Sequence, residues 1–421
     1  MKLSIGTYLT IGVLCIGCGD ADIHPIEDSL PQERTPLPIV SLVTPDGEDI
    51  TSKEVWLDDC SVTLTDARGD TLWTDTAAHL RCRGNSTFRL PKKPYNIKLD
   101  RKREVLGMPA HKRWCLLADA FDRTHLKNDV ALRLGQMTSL RWTPSGTHVL
   151  VMLNGRELGL YYLCEHIKVG SQRLDIAEMT EQDTEGDVLT GGYLLEYDKY
   201  FDEANRFRSA VRAFPVNIKE PDEDVLQPEQ EEYIRGYINR TEQLLYEERA
   251  DYATLQEWID MESFADFYLI SELTYDMELA RPRSTYLHKD RNCRLAAGPL
   301  WDFDWAWKEP AADRLELAGS LYYDRLLRLP EFDALVRERW QGLRRQIPDL
   351  VAYLDAQAAA IRGQAIHDRF LWQSISRNSN KGMEYDDAVE ALRSAIGIRA
   401  AALDRRFSDS PQMTDVGLTV P

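Results

Sequence analysis

Two periodicities divide the chain and restrict its fold more than any other feature. Between residues 37 and about 100, short apolar and β-branched stretches alternate with turn signals such as DGED and ARGD, which is typical of strands. From Asp324 to Phe407, apolar residues recur at helical spacing. A chain that begins rich in strands and ends in helices is predicted to be an α+β protein with two lobes.

The middle of the chain combines both patterns. We predict a helix over 124–136, a hairpin whose strands flank a type I′ turn at Asn154-Gly155, and a strand over 191–197. Further predicted elements are helices over 229–248 and 254–274 and strands over 284–290 and 294–304. The most unusual residue clusters lie near the junction of the two parts, where a two-lobed enzyme is expected to have its site.

The N-terminus resembles an export signal. A positively charged start precedes an apolar stretch that ends at Gly17, and Cys18 follows this small residue as in bacterial lipoproteins. We therefore expect residues 1–17 to be a signal peptide and Cys18 to carry lipid. Residues 18–36 are acidic and contain proline, so we expect them to tether the body to a membrane outside the cytoplasm, at the periplasmic face or the cell surface. An uncut anchor or a plain secretory signal is the alternative.

Charge and cysteine content exclude several classes of protein. The 51 Lys+Arg against 69 Asp+Glu give a net charge of −18, which argues against nucleic-acid binding because a basic face is needed to neutralise phosphates. After the N-terminal stretch, no apolar run is long enough to span a bilayer. From Cys18 onward the sequence contains no CxxC pair, so we do not expect a structural zinc site. We expect buried free thiols, with one or two disulfides as the alternative and Cys60 and Cys82 as the nearest pair in sequence.

A basic cluster stands out in this acidic chain. Arg83 begins a Gly-Asn-Ser turn, and Lys93 and Lys98 follow within fifteen positions. Backbone N–H groups and the side chains of Asn85 and Ser86, together with guanidinium and ammonium groups, suit the binding of a polyphosphate. The alternative is a hairpin whose charges simply face solvent.

Asp302 and Asp304 alternate with aromatic residues at the end of an apolar stretch. In an extended segment, alternate side chains point the same way, so the two carboxylates would repel each other unless a cation lay between them. Mg²⁺ bound together with substrate phosphate oxygens fits this pattern. The alternative is a pair of acids that cap a turn or bind arginine.

Asp276 and Glu278 lie between a predicted helix and the strand over 284–290. An acid in this place could accept a proton from an incoming hydroxyl group. The alternative is a solvated acidic loop.

Glu165 interrupts an apolar strand and therefore requires a partner of opposite charge. Lys98 is the candidate for this ion pair. A glutamate that faces solvent is the alternative.

Six motifs, in this order, resemble the CotH kinase family, which is named after a bacterial spore-coat protein: RCRGNST, PKKPYNIKLD, LGMPAHKRWCLLADAFDRTHLKN, LGLYYLCEHIKVGSQRLDI, GGYLLEYDKY and GPLWDFDWAW. The similarity extends from about Leu37 to Phe407. It implies an atypical, two-lobed protein-kinase-like fold, with a strand-rich N-terminal part and a mainly helical C-terminal part. It also implies transfer of the ATP γ-phosphoryl group to protein Ser/Thr with a divalent metal, Mg²⁺ or Mn²⁺.

The resemblance also implies roles for the residues singled out above. Arg83 and Ser86 would lie near the phosphates, and Lys98 would contact the nucleotide with Glu165 as its ion-pair partner. Asp302 and Asp304 would be the metal ligands. Asp276 and Glu278 would compete for the role of base.

These observations lead to the hypothesis of a lipid-anchored protein kinase with a catalytic domain over 37–407 and a loose tail over 408–421. Its partners would be ATP, a divalent metal, a protein substrate and a membrane. One alternative is a non-catalytic surface protein that keeps a kinase-like fold and binds protein or glycan. Another is a metal-dependent nucleotidyl transferase or hydrolase that uses the same acids.

Overall fold

The computed structural model describes residues 34–310, 312–375 and 382–407. The predicted signal peptide, Cys18, most of the tether and the tail over 408–421 lie outside the described residues. Helices and strands are mixed along the described chain, so the predicted α+β class is confirmed. Among the described helices, none combines the length and the apolar character needed to cross a bilayer.

The strands of the described chain form two sheets. They are β1 Ile39–Val43, β2 Leu57–Thr65, β3 Thr71–Cys82, β4 Tyr95–Val105, β5 Met108–Leu117, β6 Gly146–Leu153, β7 Arg156–Glu165, β8 Tyr193–Tyr197, β9 Arg206–Arg208, β10 Pro215–Glu220, β11 Thr285–Lys289 and β12 Leu295–Ala297.

The helices concentrate in the second half of the chain, as predicted. They are α1 Lys127–Gln136, α2 Gly186–Leu189, α3 Pro228–Glu242, α4 Tyr252–Leu255, α5 Met261–Thr274, α6 Tyr323–Leu326, α7 Pro330–Arg344, α8 Ile347–Leu371 and α9 Tyr385–Phe407. Short 3₁₀ helices cover Thr87–Arg89 and Met277–Ala280, and a π-helical turn over Gln243–Glu247 extends α3.

The first seven strands close into a barrel in the order β1-β2-β3-β4-β5-β7-β6. Neighbouring strands are antiparallel except at the closure, where β1 pairs with β6 in parallel and Ile39 lies opposite Leu150. Alternate residues along each strand fill the interior, among them Leu42, Leu80 and Trp114. The strand-rich beginning was predicted, but closure was not, because it depends on a pairing between distant segments.

The second sheet has the order β12-β11-β8-β10-β9 and packs with the C-terminal helices into a separate core. Helix α5 lies at the centre of this core, against α7, α9 and β12. Its residues are buried on nearly every side, as expected for a helix that is apolar all round.

The predicted β6–β7 hairpin is confirmed. Asn154 and Gly155 both have positive φ values, 52° and 79°, which a type I′ turn requires. The predicted strand over 294–304 is wrong beyond Ala297, because the chain leaves the sheet there and Asp302 adopts a left-handed φ of 65°.

A buried ion pair joins the barrel to the helical part. Lys92 precedes β4, and its Nζ lies 2.8 Å from Oδ1 of Asp368 on α8, with the two side chains 1% and 6% exposed. The strand β7 contacts both residues, since Lys92 Nζ donates to the Leu160 carbonyl at 2.6 Å and Leu160 N–H donates to Asp368 at 2.8 Å. This satisfied cluster fixes α8 against the barrel.

Removing one partner of this pair should strongly destabilise the protein. We expect Asp368→Asn or Lys92→Met to lower the free energy of unfolding by about 3–5 kcal/mol, because a single change leaves an uncompensated buried charge. Urea titration measures the effect. Asp386→Asn, which breaks the exposed pair with Arg362, is the matched control and should cost less than about 1 kcal/mol. Equal losses of unfolding free energy in Asp368→Asn and Asp386→Asn would contradict the importance assigned to the buried ion pair.

Candidate functional site

A cavity of about 740 Å³ collects four of the eight charged residues singled out by the sequence: Arg83, Glu278, Asp302 and Asp304. Its walls contain residues of the barrel strands β3, β4 and β5 and of the strands β8, β10 and β11 of the second sheet. The segment over 301–305 completes them. The site therefore lies at the junction of the two parts of the fold, where the sequence predicted it.

The Gly-Asn-Ser turn follows directly after β3 and requires its glycine. Gly84 has a φ of +80°, and a Cβ atom there would lie 2.4 Å from Oγ1 of Thr87, so only glycine fits without rearrangement. The turn places Arg83, Asn85 and Ser86 in the cavity wall.

The guanidinium group of Arg83 lies between an aromatic ring and an acid. Its Cζ atom is 5.0 Å from the centre of the Trp301 ring, and its charge acts on Asp302. Lys53 Nζ donates to Oδ1 of Asn85 at 3.0 Å, which adds a second cation to this wall. A cationic pocket wall of this kind suits a bound anion.

Asp302 and Asp304 both line the cavity, although they do not belong to an extended segment. Burial raises the pKa of Asp302, while the charge of Arg83 and a 3.3 Å hydrogen bond from Ser284 Oγ oppose the increase. Burial and the negative charge of Asp302 raise the pKa of Asp304 to about 7. The predicted repulsion between the two carboxylates is thus present.

Asn128, at the start of α1, holds the acidic segment in place and was missed by the sequence reasoning. Its Nδ2 donates to Asp304 Oδ1 at 2.7 Å and to Asp119 Oδ1 at 2.9 Å. Its Oδ1 accepts from the backbone N–H of Phe303 at 2.9 Å. Asp122 in turn fixes the beginning of α1, because its carboxylate accepts from two successive backbone N–H groups. The signal for Asn128 was its place at a helix start within one of the six motifs.

Of the two acids considered as base, Glu278 lines the cavity. Burial and the charge of Asp302 raise the pKa of Glu278 to about 8, and Arg283 forms an ion pair with it at 2.9 Å. Asp276 accepts from the backbone N–H of Glu278 at 3.2 Å and so caps the 3₁₀ helix. Burial raises the pKa of Asp276 to about 7, but this residue is not part of the cavity wall.

The predicted ion pair between Lys98 and Glu165 is wrong. Lys98 lies opposite Arg113 on β5, whereas Glu165 lies opposite Trp114, the next residue of the same strand. Consecutive residues of a strand point to opposite faces, so Lys98 and Glu165 are on different sides of the sheet. Glu165 instead forms a buried ion pair with Arg173.

Lys93 and Lys98 also lie outside the cavity walls, as far as the described residues define them. Lys93 Nζ donates to the Phe88 carbonyl at 2.6 Å and so closes the loop that follows the turn. The cavity therefore brings together six of the predicted site residues: Arg83, Asn85, Ser86, Glu278, Asp302 and Asp304. It does not bring in Lys93, Lys98, Glu165 or Asp276.

The donor set fits a divalent cation held jointly with a ligand. Within the described ranges, no group of three or more His, Cys, Asp or Glu side chains could hold a metal ion by itself. Asp304 is buried against the neutral amide of Asn128, and burial keeps the pKa of both acids raised although the charges of Arg83 and Arg283 act on Asp302. Two carboxylates that lack full compensation suit Mg²⁺, which typically binds one or two carboxylates, substrate phosphates and water.

The comparisons with known proteins agree with this geometry. A model of the family described as CotH kinase protein matches residues 80–403, a range that contains the six predicted residues that line the cavity. Among curated proteins, no match was found. The family similarity therefore spans the barrel strands from the end of β3 onward, the second sheet and most of the helical part.

The buried acid Asp304 should oppose folding in the absence of metal. Its pKa is about 7 in the folded protein against an ordinary value of 3.8, so the unfolded chain releases the proton first and stability falls as pH rises between these values. In EDTA, we expect Asp304→Asn to stabilise the protein at pH 8 by about 1–3 kcal/mol.

Thermal unfolding of both proteins from pH 4 to pH 8 measures this effect. The difference in Tm should be small at pH 4 and grow toward pH 8. A difference in Tm that does not change with pH would contradict the assignment of the effect to ionisation of Asp304.

Proposed function

The chain belongs to the CotH kinase family, and from this premise we propose that it is a protein kinase that transfers the ATP γ-phosphoryl group to Ser or Thr of a protein substrate. We propose that lipid on Cys18 anchors it outside the cytoplasm and that residues 37–407 form the catalytic domain. In this proposal the barrel and the helical part act as the two lobes of an atypical kinase.

One observation carries the proposal. A single cavity is lined by the Arg83 turn, by the acids Asp302 and Asp304, and by Glu278, a third acid of raised pKa. Phosphoryl transfer needs these three kinds of group: donors for phosphate oxygens, ligands for a metal and an acceptor for the hydroxyl proton. A surface protein that only binds glycan has no need of buried carboxylates that repel one another.

The barrel wall supplies the positive charge for a polyphosphate. Arg81 and Arg113 line the cavity with their guanidinium groups 4.5 and 4.9 Å from the centre of the Trp56 ring. Stacking on one ring holds these two cations in fixed positions. We assign the phosphate contacts to Arg83, Asn85 and Ser86, which line the cavity, and the wider positive field to the flanking cations.

Asp302 and Asp304 are the residues that would hold the metal. A divalent ion bound there would neutralise charge on the phosphate oxygens. Hydrogen bonds from Asn128 and Ser284 fix the carboxylates of Asp304 and Asp302, respectively. These two carboxylates therefore need little reorganisation when the substrate binds.

Glu278 is the proposed base. The oxygen of the substrate hydroxyl attacks the γ-phosphorus, the bond from this phosphorus to the β–γ bridging oxygen breaks, and ADP leaves. The hydroxyl proton moves to the Glu278 carboxylate. Arg283 positions this carboxylate through their ion pair, and Asp276 supports it by capping the turn that carries it.

The first test is transfer of label from γ-labelled ATP to protein with Mg²⁺ or Mn²⁺. We expect label with the wild type and a loss of about 100-fold or more with Asp302→Ala or Arg83→Met, because each removes charge stabilisation in the cavity. Asp386→Asn, an exposed acid on α9, is the matched control and should keep full activity.

The products separate the proposal from its alternatives. Transfer of AMP to protein would indicate a nucleotidyl transferase, and release of phosphate alone would indicate a hydrolase. Absence of both label and nucleotide binding with either metal would contradict catalysis and favour the non-catalytic binding protein.

A second test distinguishes the two acids considered as base. Glu278→Gln should lower kcat by about 10²–10⁴-fold with little change in the KM for ATP, because it removes a proton acceptor and keeps the shape of the side chain. Asp276→Asn should have a smaller effect on kcat, since its amide oxygen can still accept from the Glu278 N–H. The reverse order of effects would assign the base to Asp276.

A further inference from the structure

Cys115 and Cys164 lie directly opposite each other in the barrel wall. The antiparallel pairing of β5 with β7 sets one against the other. Side chains of opposed residues project from the same face, with Cβ atoms about 4.5–5.5 Å apart. A disulfide needs Cα atoms about 4.4–6.8 Å apart and Cβ atoms about 3.5–4.5 Å apart. A disulfide between these residues therefore requires the two strands to move only slightly closer together.

The two thiols face out of the barrel and contact each other. Their neighbours Trp114 and Leu163 belong to the barrel interior, whereas both cysteines belong to the core on the outer side. Both side chains are fully buried, and the thiols interact by a hydrogen bond. Cys115 Sγ also donates to Oδ1 of Asn96 at 3.2 Å.

The contact between the two thiols shifts their pKa values in opposite directions. Burial raises the pKa of both thiols, but contact with Cys164 and the charge of Arg83 together lower the pKa of Cys115 below its ordinary value. One thiol thus forms the thiolate more readily while the other keeps its proton. Thiol–disulfide exchange begins with such a thiolate.

The other described cysteines lack these features. Cys60 lies opposite Ala78 on β3, and Cys82 lies opposite Tyr95 on β4. Both donate to backbone carbonyl groups, and burial raises the pKa of each to about 11. Cys293 is exposed. Closeness in sequence, which pointed to Cys60 and Cys82, therefore does not identify the pair that is close in space.

We propose that Cys115 and Cys164 form a cross-strand disulfide when the protein meets a low-molecular-weight disulfide such as oxidised glutathione. The thiolate of one cysteine attacks a sulfur of glutathione disulfide and releases one glutathione thiolate. The second cysteine, after losing its proton, attacks the mixed disulfide and releases the other. Two protein thiols are oxidised and one glutathione disulfide is reduced, so electrons balance.

This bridge would form behind a wall of the cavity. Asn96 lines the cavity and now accepts a hydrogen bond from the Cys115 thiol. Oxidation removes that donor and links β5 to β7 covalently. The proposal concerns the two strands alone and does not depend on the kinase activity.

The experiment is a peptide map of the full chain after incubation with oxidised glutathione. Free thiols are alkylated, and the protein is digested with trypsin without reduction. We expect the peptides 114–123 and 157–168 to appear as one linked species, two hydrogens lighter than their sum, which dithiothreitol separates. The same map is made after refolding in the oxidant, so that burial in the folded state does not hide the reaction.

Matched variants locate the bond. Cys115→Ser and Cys164→Ser should each abolish the linked species, whereas Cys82→Ser should retain it. The proposal is overturned if both peptides are alkylated under both conditions, or if either cysteine is linked to a different one.

Discussion

The amide group of Asn128 is the contact on which the arrangement of the cavity depends. It binds two carboxylates, those of Asp119 and Asp304, and also the backbone of the segment that carries the acids. Burial raises the pKa of both carboxylates, and repulsion between like charges that lie close together raises it further. A neutral amide holds them in place without cancelling their charge, which suits the cation site proposed above.

Buried ion pairs hold the elements around this site. Lys92 and Asp368 join the barrel to α8, and Glu165 and Arg173 close the end of β7. In the helical part, Glu272 and Arg399 form a fully buried pair at 2.6 Å. Glu272 precedes the left-handed Tyr275, after which the chain turns toward Glu278. Each pair is costly to desolvate, but each lies next to a segment that lines the cavity: β4 follows Lys92, residues 166–168 follow β7, and Glu278 follows α5.

Local patterns in the sequence predicted those structural features that depend on interactions between neighbouring residues. The Asn154-Gly155 turn and the position of the helices follow from residue spacing and turn chemistry. The resemblance to the CotH kinase family implied that Arg83, Glu278, Asp302 and Asp304 belong to one site. Contacts between residues that are distant in the sequence were not predicted. Glu165 pairs with Arg173 in a loop, and the face on which Lys98 lies is set by the register of three strands. Asn128 was missed because its role depends on a segment 175 residues away.

Closure of the barrel by β1 has a consequence for the order in which the chain folds. Until β6 has been synthesised and has paired with β7, β1 has a neighbour only on the β2 side, and its other edge has unsatisfied N–H and C=O groups. Contacts between such distant segments form slowly, because a large loop must be ordered first. During that interval the free edge of β1 is a template for pairing with other chains. A factor that shields this edge would therefore raise the yield of folded protein without changing its final stability.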